Sequence, residues 1–282
     1  MTAEFNELGY KDITVDRGKN LIIGDVQNAK VIYSAHYDTP PLSPWFFLAR
    51  IFGHIIGAVI LGNLVVLAVI MGICILVEGL VSGQFLTVHS AFALNAGWLV
   101  FMLLFIFPSP GNANDNTSGV LAVYEIARRL RDQGKEAGVA FVFFSAEELG
   151  LIGSGKFKVD LVKAAKRTNP TAKFNPKFTL VNFDCVGLGT HVVLAYGSKK
   201  SKVICDKLAG GFDKPTLLRR GSLLAYGSDN LHFKDNGISI FAAKRSILGP
   251  LYLPRIHAPF NKKIDLDIVK AVCEGVLRAD LG

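Results

Sequence analysis

The sequence predicts an α/β fold with three layers, helix–sheet–helix, around a mostly parallel central sheet. A single apolar helical hairpin interrupts it. Three observations carry this expectation. Short apolar runs alternate with amphipathic stretches over most of the chain, as in strands covered on both faces by crossover helices. Three of those runs end in titratable residues, at His36, Glu147 and Asp184. Finally, residues 45–107 form an oily block whose charged or histidine side chains are Arg50, His54, Glu78 and His89 alone.

Taken in order, the opening "TAEFNELGY" reads as the tail of a helix that begins further upstream, so Met1 is not secured as the true start. Strands are expected at Leu21–Gly24 and Val31–Ala35. Residues 45–56 (WFFLARIFGHII) mix aromatics with Arg50 and His54 and suit a membrane interface. From Ile51 to Val77 the single charged or histidine side chain is His54, over a length above the ~20 residues that cross a bilayer. Ala91–Phe107 is a second, shorter apolar run. A buried soluble hairpin is the alternative, but so long a run without a polar face argues against it.

Two crossings return the chain to its starting side. The loop Glu78–Ser90 has no Lys or Arg while the flanking chain has many, which places the loop outside and the main domain in the cytoplasm. Gly53 and Gly57 have the GxxxG spacing of close helix approach, a weak signal alone. The expected organisation is therefore a discontinuous domain, 1–43 and 108–282, with 44–107 as a membrane-spanning insertion. Beyond the block, strands are expected at Val139–Ser145, Phe178–Phe183, Val192–Ala195 and Ile238–Ala242. Helices are expected at Ser118–Arg131, Gly155–Lys166, Lys202–Ala209, Ser228–Asp235 and Asp265–Asp280. Asn169–Pro176 reads as a surface loop.

Composition narrows the class. The chain has 282 residues, 50% hydrophobic content, mean hydropathy +0.36 and net charge +8. Without the oily block roughly 215 residues remain, enough for one full core. No basic stripe with interleaved aromatics and no nucleic-acid motif is present, so no nucleic-acid partner is expected. The positive charge suits an anionic lipid surface instead. The four cysteines, Cys74, Cys185, Cys205 and Cys273, form no CxxC pair. That excludes a disulfide framework or a thiolate zinc site and suits a reducing compartment. No signal peptide is visible.

Chemistry gathers at the carboxyl ends of strands in open α/β sheets. There stand His36 with Asp38, Glu147 with Glu148, and Asp184. Loops add Asp115 in "GNANDNTSG" and His257 in "RIHAPFN". Each has an ordinary explanation alone. A histidine can be a satisfied core residue, Asp115 an N-cap, the glutamates a helix start, Asp184 a turn residue and His257 a plain loop histidine. Their joint arrival at one edge favours a site. Imidazole and carboxylate donors suit zinc, with cobalt or manganese as alternatives. One carboxylate can bridge two ions. Asp38, two residues after His36, shares its face and can accept its second N–H. Adjacent Glu147 and Glu148 need a turn to reach the same site.

The ordered motifs "AHYDTP", "NDNTSG", "SAEELG", "NFDCVG" and "RIHAPF" resemble the co-catalytic zinc exopeptidases of peptidase family M28, bacterial leucyl aminopeptidase type. "YGSDNLHFKDNGISIF" resembles the family's late segment. The likeness covers about residues 8–40 and 111–280. It implies a metallopeptidase with two zinc ions: His36 and Asp184 on one, Glu148 and His257 on the other, and Asp115 bridging them. Glu147 would be the general base and Asp38 would orient His36. It also implies a cis peptide after Asp115 and a peptide as substrate. Alternatives are a single-zinc cyclotransferase of the glutaminyl cyclase type, or an inactive receptor or scaffold. Asn114, Asn230 and Thr39 stand where the family often has an acid, a histidine and a serine. The insertion between His36 and Asp115 is the large departure. It suggests a membrane anchor set in the rim of the site.

Overall fold

The structure is a computed structural model that describes residues 1–42, 46–53, 55–83, 108–171, 174–222, 225–279 and 281. Its strands are β1 (Ile13–Val15), β2 (Leu21–Ile23), β3 (Val31–His36), β4 (Val139–Phe144), β5 (Thr179–Phe183), β6 (His191–Tyr196), β7 (Thr216–Arg220), β8 (Gly237–Arg245) and β9 (Leu251–Tyr252). They join in one sheet of order β1-β2-β4-β3-β5-β8-β6-β7, with β9 paired to β8. The centre, β4-β3-β5-β8, is parallel. On one flank β2 pairs antiparallel to β4; on the other β6 pairs antiparallel to β8. The parallel expectation thus holds at the centre and for the outer pair β6–β7, while β1–β2, β2–β4 and β6–β8 are antiparallel.

Alternation along the strands feeds two cores. Val31, Tyr33 and Ala35 of β3, with Phe141 and Phe143 of β4, pack on one face. Against them lie Phe5 of α1 (Thr2–Glu7), Ile126 of α4 (Ser118–Asp132), Leu208 of α6 (Lys199–Ala209) and Val272 of α7 (Leu266–Arg278). On the opposite face Ile32, Val142 and Phe144 meet Phe157 of α5 (Ile152–Thr168). α4 shows why such helices form. Its buried positions Ala122, Val123, Ile126, Ala127 and Leu130 follow the helical period. On its other side Glu125 pairs with Arg128 and Arg129. α7 starts where the Asp265 carboxylate accepts from the backbone N–H groups of Asp267 and Ile268.

One expected helix is corrected. Ser228–Asp235 is no α-helix but a short 3-10 turn, Asp229–Phe233. Gly237 ends the room for a longer helix, because β8 begins there. The strands β1, β7 and β9 were not expected from the sequence.

In the oily block, α2 (Phe46–Phe52) and α3 (Ile55–Ser82) are separated at Gly53, whose φ is +84°. α3 runs past the expected end at Val77, through Glu78, and stops before Gly83 with φ +69°. Leu64–Val81 is the single helical stretch among the described residues long and apolar enough to cross a membrane, and none of it is buried. The second expected crossing, Ala91–Phe107, lies outside the described residues. Both roots of the block meet at the carboxyl edge of the sheet. Pro41 and Pro108 form an antiparallel bridge, and the Ser109 N–H donates to the Pro40 carbonyl at 2.8 Å.

Candidate metal centre

All seven residues singled out from the sequence reach one end of the sheet. His36 closes β3 and is 1% exposed. Asp184 follows β5, next to it in the sheet. Glu147 and Glu148 follow β4 in a turn that starts with Ala146 at φ +49°. The Glu147 carbonyl closes this turn by accepting from the N–H groups of Gly150 and Leu151. Asp115 sits in the irregular turn Ala113–Thr117 that leads into α4. Its peptide bond to Asn116 is cis, as the resemblance implied. His257 lies on the loop between β9 and α7, with φ +54°.

The donor atoms fall into two clusters that share Asp115. His36, Asp115 and Asp184 form one, and Asp115, Glu148 and His257 the other, each with ligand atoms within 4.8 Å of one another. A third grouping joins His36 to Glu147 and Glu148. His36 Nε2 is 3.3 Å from Asp115 Oδ1 and 3.8 Å from Asp184 Oδ1. His257 Nε2 is 3.7 Å from Asp115 Oδ2 and 3.5 Å from Glu148 Oε2. Donors on a common tetrahedral zinc, each ~2.0–2.2 Å from it, stand roughly 3.3–3.6 Å apart. Asp115 Oδ2 and Asp184 Oδ1 are buried without a hydrogen-bond partner, as suits atoms aimed at a cation.

Surrounding groups orient these candidate donors. The Pro41 carbonyl lies 3.1 Å from His257 Nδ1. A carbonyl can only accept, so Nδ1 carries the proton and Nε2 is free for a metal. Asp38 Oδ1 stands 3.4 Å from His36 Nδ1, a long contact, and that nitrogen has no well-formed hydrogen bond. The carboxylate of Asp38 also has a second task that the sequence did not reveal. It accepts from the backbone N–H groups of Glu147 and Glu148, both at 3.1 Å, and so clamps the glutamate turn.

Electrostatics also suit a cation. Burial pushes Glu147 well above the ordinary carboxylate range; His36 opposes this, while Asp229, Asp184 and Asp115 add to it. Burial, then Asp115 and Glu147, raises Glu148 in the same way. Burial alone would lower His36, but Glu147, Asp115, Asp184 and Asp38 together hold it well above its usual value. So many carboxylates in one buried pocket cannot all ionise cheaply without positive charge among them.

Asp229 was missed as a site residue. It is fully buried, neither oxygen has a well-formed hydrogen bond, and burial raises it to about 7. The available signal was an acid inside "YGSDNLHF", a segment already noted for its family likeness.

Fold and donors together define a metallopeptidase-like α/β protein, and comparison names the family. The sequence model of Peptidase family M28 matches residues 102–274, more than half of the chain. The chain belongs to that family. Aminopeptidase YwaD of Bacillus subtilis is 33% identical over 144 residues, 46% of this chain and 28% of that protein. LapB from Legionella pneumophila superposes with a TM-score of 0.56 at 15% identity, covering 99% of this chain and 61% of that one. A glutaminyl cyclase of Bacteroides thetaiotaomicron, solved with N-acetylhistamine, gives 0.55 at 17% identity, covering 99% and 86%. The chain thus spans under two thirds of the length of YwaD and LapB.

Proposed function

We propose that this chain is a zinc-dependent aminopeptidase with two metal ions, anchored to a membrane by residues 44–107 and with its catalytic part formed by 1–43 and 108–282. The observation that carries it is Asp115, shared between two clusters of three donors. His36 and Asp184 would hold one ion, Glu148 and His257 the other. Two zinc ions bound there would supply Lewis-acid polarisation of the scissile carbonyl and an acidified water. Glu147, half-buried and grouped with His36 and Glu148, would take a proton from the attacking water and return it to the leaving amine. Asp38 holds the Glu147–Glu148 turn and faces His36. The acidic pocket attracts the free amine of a peptide N-terminus.

Family membership and the aminopeptidase relative support the reaction. The exposed apolar stretch Leu64–Val81 supports the anchor, and the Lys and Arg bias supports a cytoplasmic catalytic side. The glutaminyl cyclase likeness leaves a single-zinc cyclotransferase as the second reading. The shared Asp115 favours two metals.

The test is hydrolysis of aminoacyl nitroanilides by detergent-purified, zinc-loaded protein, beside N-acetylated substrates and Glu147→Gln. Cleavage should need the free amine, and Glu147→Gln should lose about 10²–10⁴-fold in kcat while keeping its zinc. No cleavage with two zinc ions bound would remove the aminopeptidase reading. Cyclisation of N-terminal glutamine with one zinc bound would establish the second.

A further inference from the structure

The two donor clusters rest on different parts of the fold. His36 and Asp184 leave β3 and β5, neighbours in the parallel centre of the sheet. His257 leaves no strand. Its loop carries left-handed φ values at Arg255 (+62°) and at His257 (+54°), which residues with a side chain hold only under outside constraint.

That constraint comes from the roots of the apolar insertion and the segment just after it. His257 Nδ1 donates to the carbonyl of Pro41, which is bridged to Pro108. The Ser109 hydroxyl is shared between the carbonyls of Ala258 at 3.0 Å and Gly111 at 2.9 Å. The Ala113 N–H donates to the Asn261 carbonyl at 2.9 Å. Asn114, fully buried, completes the grip. Its N–H donates to Asn261 Oδ1 at 2.7 Å, and its Nδ2 donates to the Pro254 carbonyl at 2.8 Å. Its Oδ1 accepts from the Gly187 N–H at 2.8 Å. An acid at this position could not donate to Pro254 when ionised, so the asparagine is matched to the His257 loop.

We propose that the insertion roots, through Pro41 and Ser109, and Asn114 act together as positioning residues for His257. Their effect should fall on the metal site that His257 completes with Glu148, while the site of His36 and Asp184 is held by the sheet. The statement about metal sites rests on the two-zinc reading above.

The experiment uses the full chain in detergent, titrated with zinc against a competing chelator, and follows hydrogen exchange in residues 254–261. The variants are Ser109→Ala, Asn114→Ala and Ser109→Thr, which keeps the hydroxyl. Wild type should bind two zinc ions in separable steps. Ser109→Ala and Asn114→Ala should leave one step unchanged and weaken the other at least tenfold. Both should also speed exchange in 254–261, and Ser109→Thr should restore both readouts. Equal weakening of both steps, or unchanged exchange in the loop, would overturn the proposal. A wild type with one zinc would instead remove the two-metal reading. The zinc-free exchange rates would still decide whether Ser109 and Asn114 hold the His257 loop.

Discussion

At the scale of the residue, Asp229 shows how burial turns a carboxyl into a pH-dependent load. Its pKa is raised to about 7, first by burial, against about 3.9 in an unfolded chain. Between those values the folded chain keeps a proton that the unfolded chain releases. Stability therefore falls as pH rises from about 4 to about 7, and the penalty stays constant above that. In zinc-free protein, Asp229→Asn should gain a few kcal/mol near pH 8 and almost nothing near pH 4. Urea unfolding at the two pH values checks this; a loss near pH 8 would mean that the ionised carboxylate is stabilising. The residue scale is also where the sequence was most legible. His36, Asp115, Glu147, Glu148, Asp184 and His257 all arrive at one edge, because each stands at a strand end or in a motif of fixed order. The double role of Asp38 was not legible. Its bonds to the N–H groups of Glu147 and Glu148 span more than a hundred residues, and no local pattern encodes them.

At the scale of the element, long apolar strands could be read directly. β3 and β4 are buried along almost their whole length, so their runs are nearly continuous in apolar residues. β1 and β7 are the edge strands, β9 pairs only the last residues of β8, and all three are short or half exposed, which leaves no such run to find. β7 even ends in Arg219 and Arg220. The start of α4 shows how tightly an element can be tied to a site. A Cβ added at Gly119 would collide with the Asn116 side chain and the Phe183 carbonyl. Asn116 in turn joins Phe183 and Cys185, on either side of Asp184, to the turn of Asp115. Gly119→Ala should therefore cost about 1–3 kcal/mol through overpacking and weaken zinc binding with it. Thermal unfolding and zinc titration of the same variant check this; an unchanged midpoint would show that the helix can shift freely.

At the scale of the whole molecule, one sheet carries the candidate site and one exposed apolar helix marks the insertion. The alternating order of strands and helices made the first legible. The oily composition pointed to the second, although the break at Gly53 and the extension past Glu78 depend on local backbone geometry that hydropathy does not report. The meeting of Pro41 with Pro108 has a further consequence, in loop entropy. This contact closes a loop of 66 residues, 42–107. Joining the ends of so long a segment costs more than joining those of a tight turn, by a term that grows as the logarithm of length. Replacing 42–107 by a turn of about four residues should leave the sheet intact and raise its unfolding free energy by roughly 2 kcal/mol. Chemical denaturation of the shortened chain measures this. A gain of that size would make the insertion a modular graft on a self-sufficient fold; collapse of the fold would make it part of the folding unit itself.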